Sequence, residues 1–422
     1  MVEKKLSTAG EGYMLLIKSC VRQLKSIFNV LVRYNPVSYF AAACMVRWKG
    51  EVRPDFAYYQ QHPVIQISGI NHNDTMEKPL LREMVFRSRK PLFGTVGYSS
   101  GTTNSPIKVY RSLLNVLLEE FFTVRYWREA GFKFFDSTIV LRGENLSIFT
   151  NKLYFFLPFE NKCLFSSFDL SPDNASLLVD LFEKHQFKFV QAYPSSVYQL
   201  ALIFQSIGYS PSSVRGVFTS SESWSDFDVE FVESQIGSVF DHYGQAERVA
   251  LLQSCRFKNY HVAEDYSYVE FLPSENGLHE IVGTNVNNSA MPLWRYRTHD
   301  FVTSEPRVGC PCGKSSRFVT NILGRSDDVV VLSDGSRIGR LDVAFKGLDN
   351  LFAAQIVQSK LNEIDVYCVP VSDSFHEVAH LKNEVARSLD SYFRGRIGIT
   401  IHVVEDIKRE PSGKFRSVKN LL

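Results

Sequence analysis

Residues 187–247 read FKFVQAYPSSVYQLALIFQSIGYSPSSVRGVFTSSESWSDFDVEFVESQIGSVFDHYGQAE, and the rhythm of this stretch decides the fold. Short β-prone apolar runs at 187–191, 214–219 and 239–241 alternate with helical patterns at 194–208 and 226–236. Pro194 opens the first helix, and Gly208 and Gly237 follow the two helical runs. A further helix is expected from Ser171-Pro172 onward, carrying Leu177, Leu178, Leu181 and Phe182 on one face. Strands and helices alternating at this spacing predict an α/β fold, a parallel sheet covered by helices. Ligands of such sheets bind beyond the carboxyl ends of the strands. Two polar clusters of this stretch fall at such ends: Ser220-Ser221-Glu222 and Tyr243-Gly244-Gln245-Ala246-Glu247.

A third cluster lies upstream, in residues 94–110, GTVGYSSGTTNSPIKVY. Ser99, Ser100, Thr102 and Thr103 surround Gly101 between two short apolar segments, and Pro106 closes the run. Small side chains let backbone N–H groups turn toward an oxyanion, and four hydroxyls add donors. That chemistry suits phosphate. No Gly-Lys pair opens a helix here, so this is not the common nucleotide-binding P-loop. Taken alone, a plain polar loop between two strands fits equally well.

Outward from these clusters, residues 1–93 read as helical segments. One of them, 13–34, has Leu16, Ile17, Val21, Leu24, Phe28 and Leu31 on one face, with Lys18, Arg22, Lys25 and Arg33 elsewhere. Such a helix either packs on its own domain, which is the expectation, or lies on an anionic membrane. Residues 112–130 carry helical spacing ended by Gly131, 137–141 a strand, and 151–168 an aromatic, strand-prone region. Residues 260–303 suggest strands and turns, with Glu275-Asn276-Gly277 as a hairpin turn. The last segment offers strands at 354–358, 365–369 and 399–403 around a helix over 375–393, a small α+β domain. A domain boundary is placed at Asp327, giving 1–326 and 327–422.

Composition bounds the function. A chain of 422 residues with net charge +2 has no basic stripe for nucleic acid and no strongly acidic field. The 33 phenylalanines suggest aromatic cores, and a greasy pocket as an alternative use. No run of about 18 apolar residues is present to span a membrane. Seven cysteines without dense spacing or a signal peptide point to reduced thiols in a cytoplasmic protein.

Five clusters occur in one order: Ser-Ser-Gly-Thr-Thr at 99–103, Tyr-Gly-x-x-Glu at 243–247, Tyr-Arg-Thr-His-Asp at 296–300, Gly-Arg-Ser-Asp-Asp at 324–328 and Pro-Ser-Gly-Lys-Phe-Arg at 411–416. The ordered set resembles the adenylate-forming superfamily of acyl-CoA synthetases and adenylation domains. Within it the chain looks most like the phenylacetate–CoA ligase branch and its capsule-polysaccharide-associated, CapK-like relatives. Gly-Cys-Pro-Cys-Gly at 309–313 and Ala-Gln-Ile-Val-Gln at 354–358 add to that likeness. The resemblance implies a large N-terminal domain with helix-covered sheets and a small mobile C-terminal lid. It implies a carboxylate activated by ATP to an acyl-AMP, then transferred to coenzyme A, or to an amine in polysaccharide synthesis. A non-catalytic nucleotide- or acyl-ligand-binding relative is the alternative.

By the same resemblance, Ser99, Ser100, Gly101, Thr102 and Thr103 would hold the β- and γ-phosphates. Ser221 and Glu222 would border the adenine, and Tyr243 and Gly244 would line the nucleotide site. Glu247 would bind Mg²⁺, Asp300 would accept the ribose hydroxyls, and Arg325 would lie near ribose and phosphate. Asp327 would be the hinge, and Lys414 would reach the carboxylate and α-phosphate. The chain departs from the pattern at Asn104 and His299, where glycine is usual, and at Ile107, where lysine is common. The acid pocket is expected within about 135–250, where Tyr193, Phe218, Ser220 and His242 are candidates by position.

Cys255 and His261, followed by Cys310 and Cys312, offer three thiolates and one imidazole, the donor set of a closed structural zinc site. A comparable cluster occurs in some members of the branch. The alternative is a buried Cys255 and a merely local Cys-x-Cys pair. Neither the acid, the acceptor nor the oligomeric state is written in these motifs.

Overall fold

A computed structural model describes residues 17–27, 29–31, 35–49, 54–61, 71–87, 94–98, 108–142, 146, 150, 152–170, 172–221, 224, 226–274, 277–324, 329–333, 337–339, 341–345, 348, 351–370, 374–393, 395–407 and 418–422. The chain divides into two compact units, one of Met1–Gly50 with Leu114–His242 and one of Glu51–Leu113 with Tyr243–Leu422.

The first unit contains the predicted parallel sheet. Thr138–Arg142 pairs in parallel with Lys162–Ser166 on one side and Phe189–Ala192 on the other. Phe189–Ala192 then pairs with Gly216–Ser220, and that strand with Val239–Gly244, again in parallel. Tyr154–Leu157 closes one side antiparallel to Lys162–Ser166. The helices Ala175–His185, Pro194–Ser206 and Asp226–Gln235 supply the crossovers. Ile139, Leu141, Val190 and Val217 of the strands pack with Leu178, Phe182, Leu200 and Phe204 of the helices. Each such side chain is worth about 1.5–3 kcal/mol of burial, which is what holds the crossovers against the sheet.

Most expected elements appear with ends shifted by one to three residues. The helix expected from Ser171-Pro172 begins later. Pro172–Asn174 is a 3₁₀ turn and Asn174 occupies the N-cap of Ala175–His185. The helix Leu113–Trp127 gives way to a 3₁₀ turn and ends at Gly131, whose φ of 81° is left-handed.

The amphipathic N-terminal segment corrects the expectation. Residues 17–27 and 29–31 are helical, as predicted, but Ile17, Val21, Leu24 and Leu31 are exposed. The opposite, polar face makes the contacts. Ser26 is buried, Gln23 Nε2 donates to the Phe156 carbonyl at 3.0 Å, and Asn29 Nδ2 donates to Glu160 Oε1 at 3.4 Å. Among the described residues, hydrogen bonds to Phe156 and Glu160 of the Tyr154–Ser166 hairpin hold the face this helix turns inward.

The second unit is mostly antiparallel. Ser267–Pro273 pairs with His279–Asn285 about the predicted turn, and Tyr296–Val302 continues the sheet. A separate core belongs to the C-terminal segment. There Leu351–Lys360 pairs with Glu363–Pro370, which is flanked in parallel by Gly398–Val403. The helix Phe375–Phe393 buries Leu381, Val385, Leu389 and Phe393, a stripe at four-residue spacing. Val418–Asn420 adds a parallel strand that the sequence pattern did not predict. Among the described residues, no helix is long and apolar enough to cross a membrane.

Candidate active site and metal centre

The strand Val239–Gly244 brings Tyr243 and Gly244 to its carboxyl end, and the next turn carries Glu247. Asp300 comes from the strand Tyr296–Val302. Tyr243 Oη donates to Asp300 Oδ2 at 2.8 Å. Burial, and then the Asp300 charge, push the Tyr243 phenol well above its ordinary value, so it stays neutral and donates. The remaining acceptor positions of Asp300 match a diol that offers two O–H donors.

Glu247 is 6% exposed. Tyr296 Oη donates to its Oε1 at 3.3 Å. Burial raises the Glu247 carboxyl above its ordinary value, and Asp300 adds to the shift, while Lys78 and Tyr296 oppose it. A buried carboxylate held at that cost is relieved by a cation, and an oxygen donor of this kind suits magnesium.

His299 has φ 58°, the left-handed region that glycine occupies most readily. The departure at His299 therefore keeps a backbone conformation that glycine favours. The His299 N–H donates to Glu280 Oε1 at 3.1 Å, which fixes the turn just before Asp300.

The hydroxyl loop Ser99, Ser100, Gly101, Thr102 and Thr103 lies outside the described residues, but the hairpin that carries it does not. Thr95–Tyr98 pairs antiparallel with Lys108–Arg111, and Tyr98 stands opposite Lys108. Arg111 Nη2 donates to the Ala246 carbonyl at 2.7 Å, tying the base of this hairpin to the residue before Glu247. A Cβ at Gly97 would collide with the Arg111 guanidinium, so Gly97 clears the path of that tether. Asn288 Nδ2 donates to the Tyr110 carbonyl at 2.8 Å and Asn288 Oδ1 accepts from the Ser112 N–H at 3.1 Å. Sequence reasoning missed Arg111 and Asn288, which hold backbone and belong to no phosphate-binding pattern, and it gave no role to Tyr296 within the 296–300 motif.

Glu222, Arg325, Asp327 and Lys414 also lie outside the described residues. Ser221 follows the strand Gly216–Ser220 with φ 78°, its Oγ 3.3 Å from that of Ser220. Nearby in the first unit, Thr219 Oγ1 donates to Asp241 Oδ1 at 2.6 Å and accepts from Trp224 Nε1 at 3.0 Å. Phe218, a pocket candidate by position, belongs to the core instead. It is 1% exposed and stacks on Trp127 and Phe189 with centroids 4.6 and 5.0 Å away.

The four predicted metal ligands come together. The donor atoms of Cys255, His261, Cys310 and Cys312 all lie within 4.8 Å of one another. Cys255 follows the strand Leu251–Ser254, and a turn closed by the Lys258 N–H on the Cys255 carbonyl leads to His261 on Tyr260–Val262. The second pair sits in a knuckle closed by the Gly313 N–H on the Cys310 carbonyl, with Gly313 at φ 89°.

The spacings can be tested against zinc. With Zn–S near 2.3 Å and Zn–N near 2.0 Å, a tetrahedron has S···S edges of about 3.8 Å and S···N edges of about 3.5 Å. Cys255 Sγ and Cys310 Sγ are 3.8 Å apart, and Cys312 Sγ is 3.2 Å from His261 Nε2. His261 Nδ1 meets Ser316 Oγ at 3.1 Å, which directs Nε2 at the sulfurs. Asn259 Nδ2 donates to Cys310 Sγ at 3.3 Å. Burial pushes the Cys255 thiol up to about 11. Burial also acts upward on Cys310, but hydrogen bonds from the Cys312 backbone, Asn259, Cys312 and Cys255 outweigh it and hold that thiol below its ordinary value. The donor set fits a metal that takes sulfur and imidazole, with all four corners supplied by the protein.

Comparison with known proteins agrees with this architecture. Residues 330–421 match the CapK C-terminal domain family. The whole chain superposes on 2-hydroxyisobutyryl-CoA ligase in complex with 2-HIB-AMP and CoA in its thioesterification state. The TM-score is 0.51 at 15% identity, covering 98% of this chain and 90% of that one. The chain shares the fold of that ligase, and its C-terminal part is similar to the CapK C-terminal domain. The same ligase in the postadenylation state with 2-HIB-AMP gives a TM-score of 0.50 at 14% identity, over 96% of this chain and 88% of that one. A curated relative, phenylacetate-coenzyme A ligase of Pseudomonas putida, is 24% identical over 245 residues, 53% of this chain and 55% of the relative. The chain thus matches about half the length of that relative.

Proposed function

We propose that the protein is an ATP-dependent, AMP-forming carboxylate ligase that passes the activated acyl group to coenzyme A by default. The observation that carries the reading is the grouping of the Tyr243–Asp300 hydrogen bond with the buried Glu247 beside the tethered hairpin. The adenylate-forming fold supports it, and so does the distant phenylacetate-coenzyme A ligase relative.

In this reading an acid oxygen attacks the α-phosphorus of ATP, the bond to the β-phosphate oxygen breaks, and pyrophosphate leaves with that electron pair. The acceptor then attacks the acyl carbon and AMP departs. Asp300, held by Tyr243, receives the ribose hydroxyls and sets the nucleotide's register. Ser99, Ser100, Gly101, Thr102 and Thr103 grip the outer phosphates, Ser221 and Glu222 border the adenine, and Gly244 lets the strand end approach it. Arg325 supplies charge near the ribose and phosphate. Magnesium, bound at Glu247, would neutralise charge on the phosphates as it builds. Lys414 brings the second cation, on a small domain that enters for one half-reaction and leaves for the next. Asp327 is the proposed hinge between residues 1–326 and 327–422, a division favoured by the CapK C-terminal match beginning at 330.

Cys255, His261, Cys310 and Cys312 are assigned to a structural zinc ion. With four protein donors it has no open position for substrate.

The test is pyrophosphate release from ATP and Mg²⁺ across aryl, short-chain, amino and sugar acids, with hydroxylamine to trap the acyl-AMP as a hydroxamate. Acid-dependent release with hydroxamate supports the proposal. Repeating the active acid with coenzyme A, and then with amines, identifies the acceptor. ATP binding without release for any acid overturns the enzyme reading in favour of a binding protein.

A further inference from the structure

The N-terminal helix packs the wrong way round for a core element. Its polar face is docked through Ser26, Gln23 and Asn29, and its apolar face is left outside. Val21, Leu24 and Leu31 are 59%, 64% and 71% exposed. The next helix, Pro36–Lys49, repeats the arrangement. It docks through Ala42 and through Tyr39, whose ring lies 4.9 Å from that of Phe121, and it exposes Val37 and Phe40 at 77% and 70%. Two consecutive helices therefore turn large apolar side chains away from the unit that carries them.

The charged residues of this part of the sequence have one sign. Residues 12–50 contain Lys18, Arg22, Lys25, Arg33, Arg47 and Lys49, and no aspartate or glutamate, although the whole chain carries only +2. Lys18 and Lys25 are exposed, and at about 100° per residue they share one edge of the Val21–Leu24 stripe. An apolar stripe flanked by the exposed Lys18 and Lys25, on a segment whose own charges are all cationic, matches a surface made of acyl chains beneath phosphate headgroups. A second copy fits less well, since a two-fold contact here would set these cations against one another with no acid between them.

We propose that the helical residues 17–27, 29–31 and 36–49 form a peripheral docking surface for an anionic phospholipid bilayer, lying in the headgroup layer without crossing it. On the ligase reading above, the reaction would then take place at a membrane surface.

The experiment is cosedimentation of the full chain with vesicles of phosphatidylcholine alone and of phosphatidylcholine mixed with phosphatidylglycerol. Partitioning should be at least about tenfold stronger onto the anionic vesicles and should weaken with salt. Val21→Glu with Leu24→Glu should lower it about tenfold or more, with an unchanged melting temperature because both side chains already face water. Lys18→Glu with Lys25→Glu should remove most of the preference for phosphatidylglycerol. Equal partitioning of wild type and the Val21/Leu24 variant overturns the proposal. A lipid-free dimer that the same variant dissociates would also overturn it and assign the face to a second copy.

Discussion

Two groups of ionisable side chains stand close in sequence within the same unit, and they solve burial in different ways. The Cys255–His261–Cys310–Cys312 cluster puts every donor toward one point and supports it with Ser316 and Asn259. The Tyr243–Glu247–Asp300 group leaves acceptor capacity unused, with a neutral phenol on one carboxylate and a phenol at 3.3 Å on the other. The first is arranged to be completed once, on folding. Among the described residues the second keeps acceptor positions free, which on the proposed reading substrates would complete.

The comparison breaks most readily at the metal cluster. Cys310→Ser with Cys312→Ser should abolish zinc binding, read by metal analysis, and cost several kcal/mol in denaturant unfolding. Structural zinc binding is worth about 10–16 kcal/mol in small peptides, so even a fraction of it dominates a domain's stability. A variant that loses zinc without losing stability would remove the structural role. Asp300→Ala should act the other way, costing only about 1–3 kcal/mol in unfolding for the Tyr243 hydroxyl that loses its acceptor and weakening ATP binding by about 100-fold in calorimetry, the loss of two charge-assisted hydrogen bonds. Unaltered ATP affinity would dismiss Asp300 as the ribose acceptor. A smaller effect separates ligand from support: Ser316→Ala should lower zinc affinity about 10- to 100-fold while metal stoichiometry at saturation is kept.

How far these groups were legible in the sequence follows from the same contrast. The cysteine and histidine positions stood out because few uses of four such residues compete with metal binding. Ser316 and Asn259 did not, since a lone serine or asparagine in a polar turn has no signature. Glu247 and Asp300 were legible only through the ordered motifs, and nothing in their local pattern marks one as buried. The parallel strands were readable because apolar runs and helical periods alternate cleanly. The strand Val418–Asn420 was not, being three residues long beside a charged loop. At the N-terminus the amphipathic period was read correctly and the direction of the apolar face wrongly. Periodicity reports that a helix has two faces, and it takes the bonds of Gln23 and Asn29 and the burial of Ser26 to show which is turned inward.

The finest test concerns the proton on Glu247. Its carboxyl is raised in the folded protein, chiefly by burial. Between the ordinary glutamate value and that raised value, the native state binds more protons than the unfolded chain. Stability contributed by the protonated form is therefore fully present below the ordinary value and is lost as pH rises through the raised one. Glu247→Gln removes the titration, so in metal-free protein it should melt higher than wild type at neutral pH, with the two curves converging in acid. Magnesium should reverse the order near neutrality by stabilising wild type alone, because a cation compensates the charge that the amide lacks. The Cys255–His261–Cys310–Cys312 cluster should show no such reversal, since its thiol and imidazole donors do not suit magnesium. If magnesium shifts both melting temperatures equally, Glu247 is a buried structural carboxyl, and the unused acceptor capacity at this end of the strand belongs to Asp300 alone.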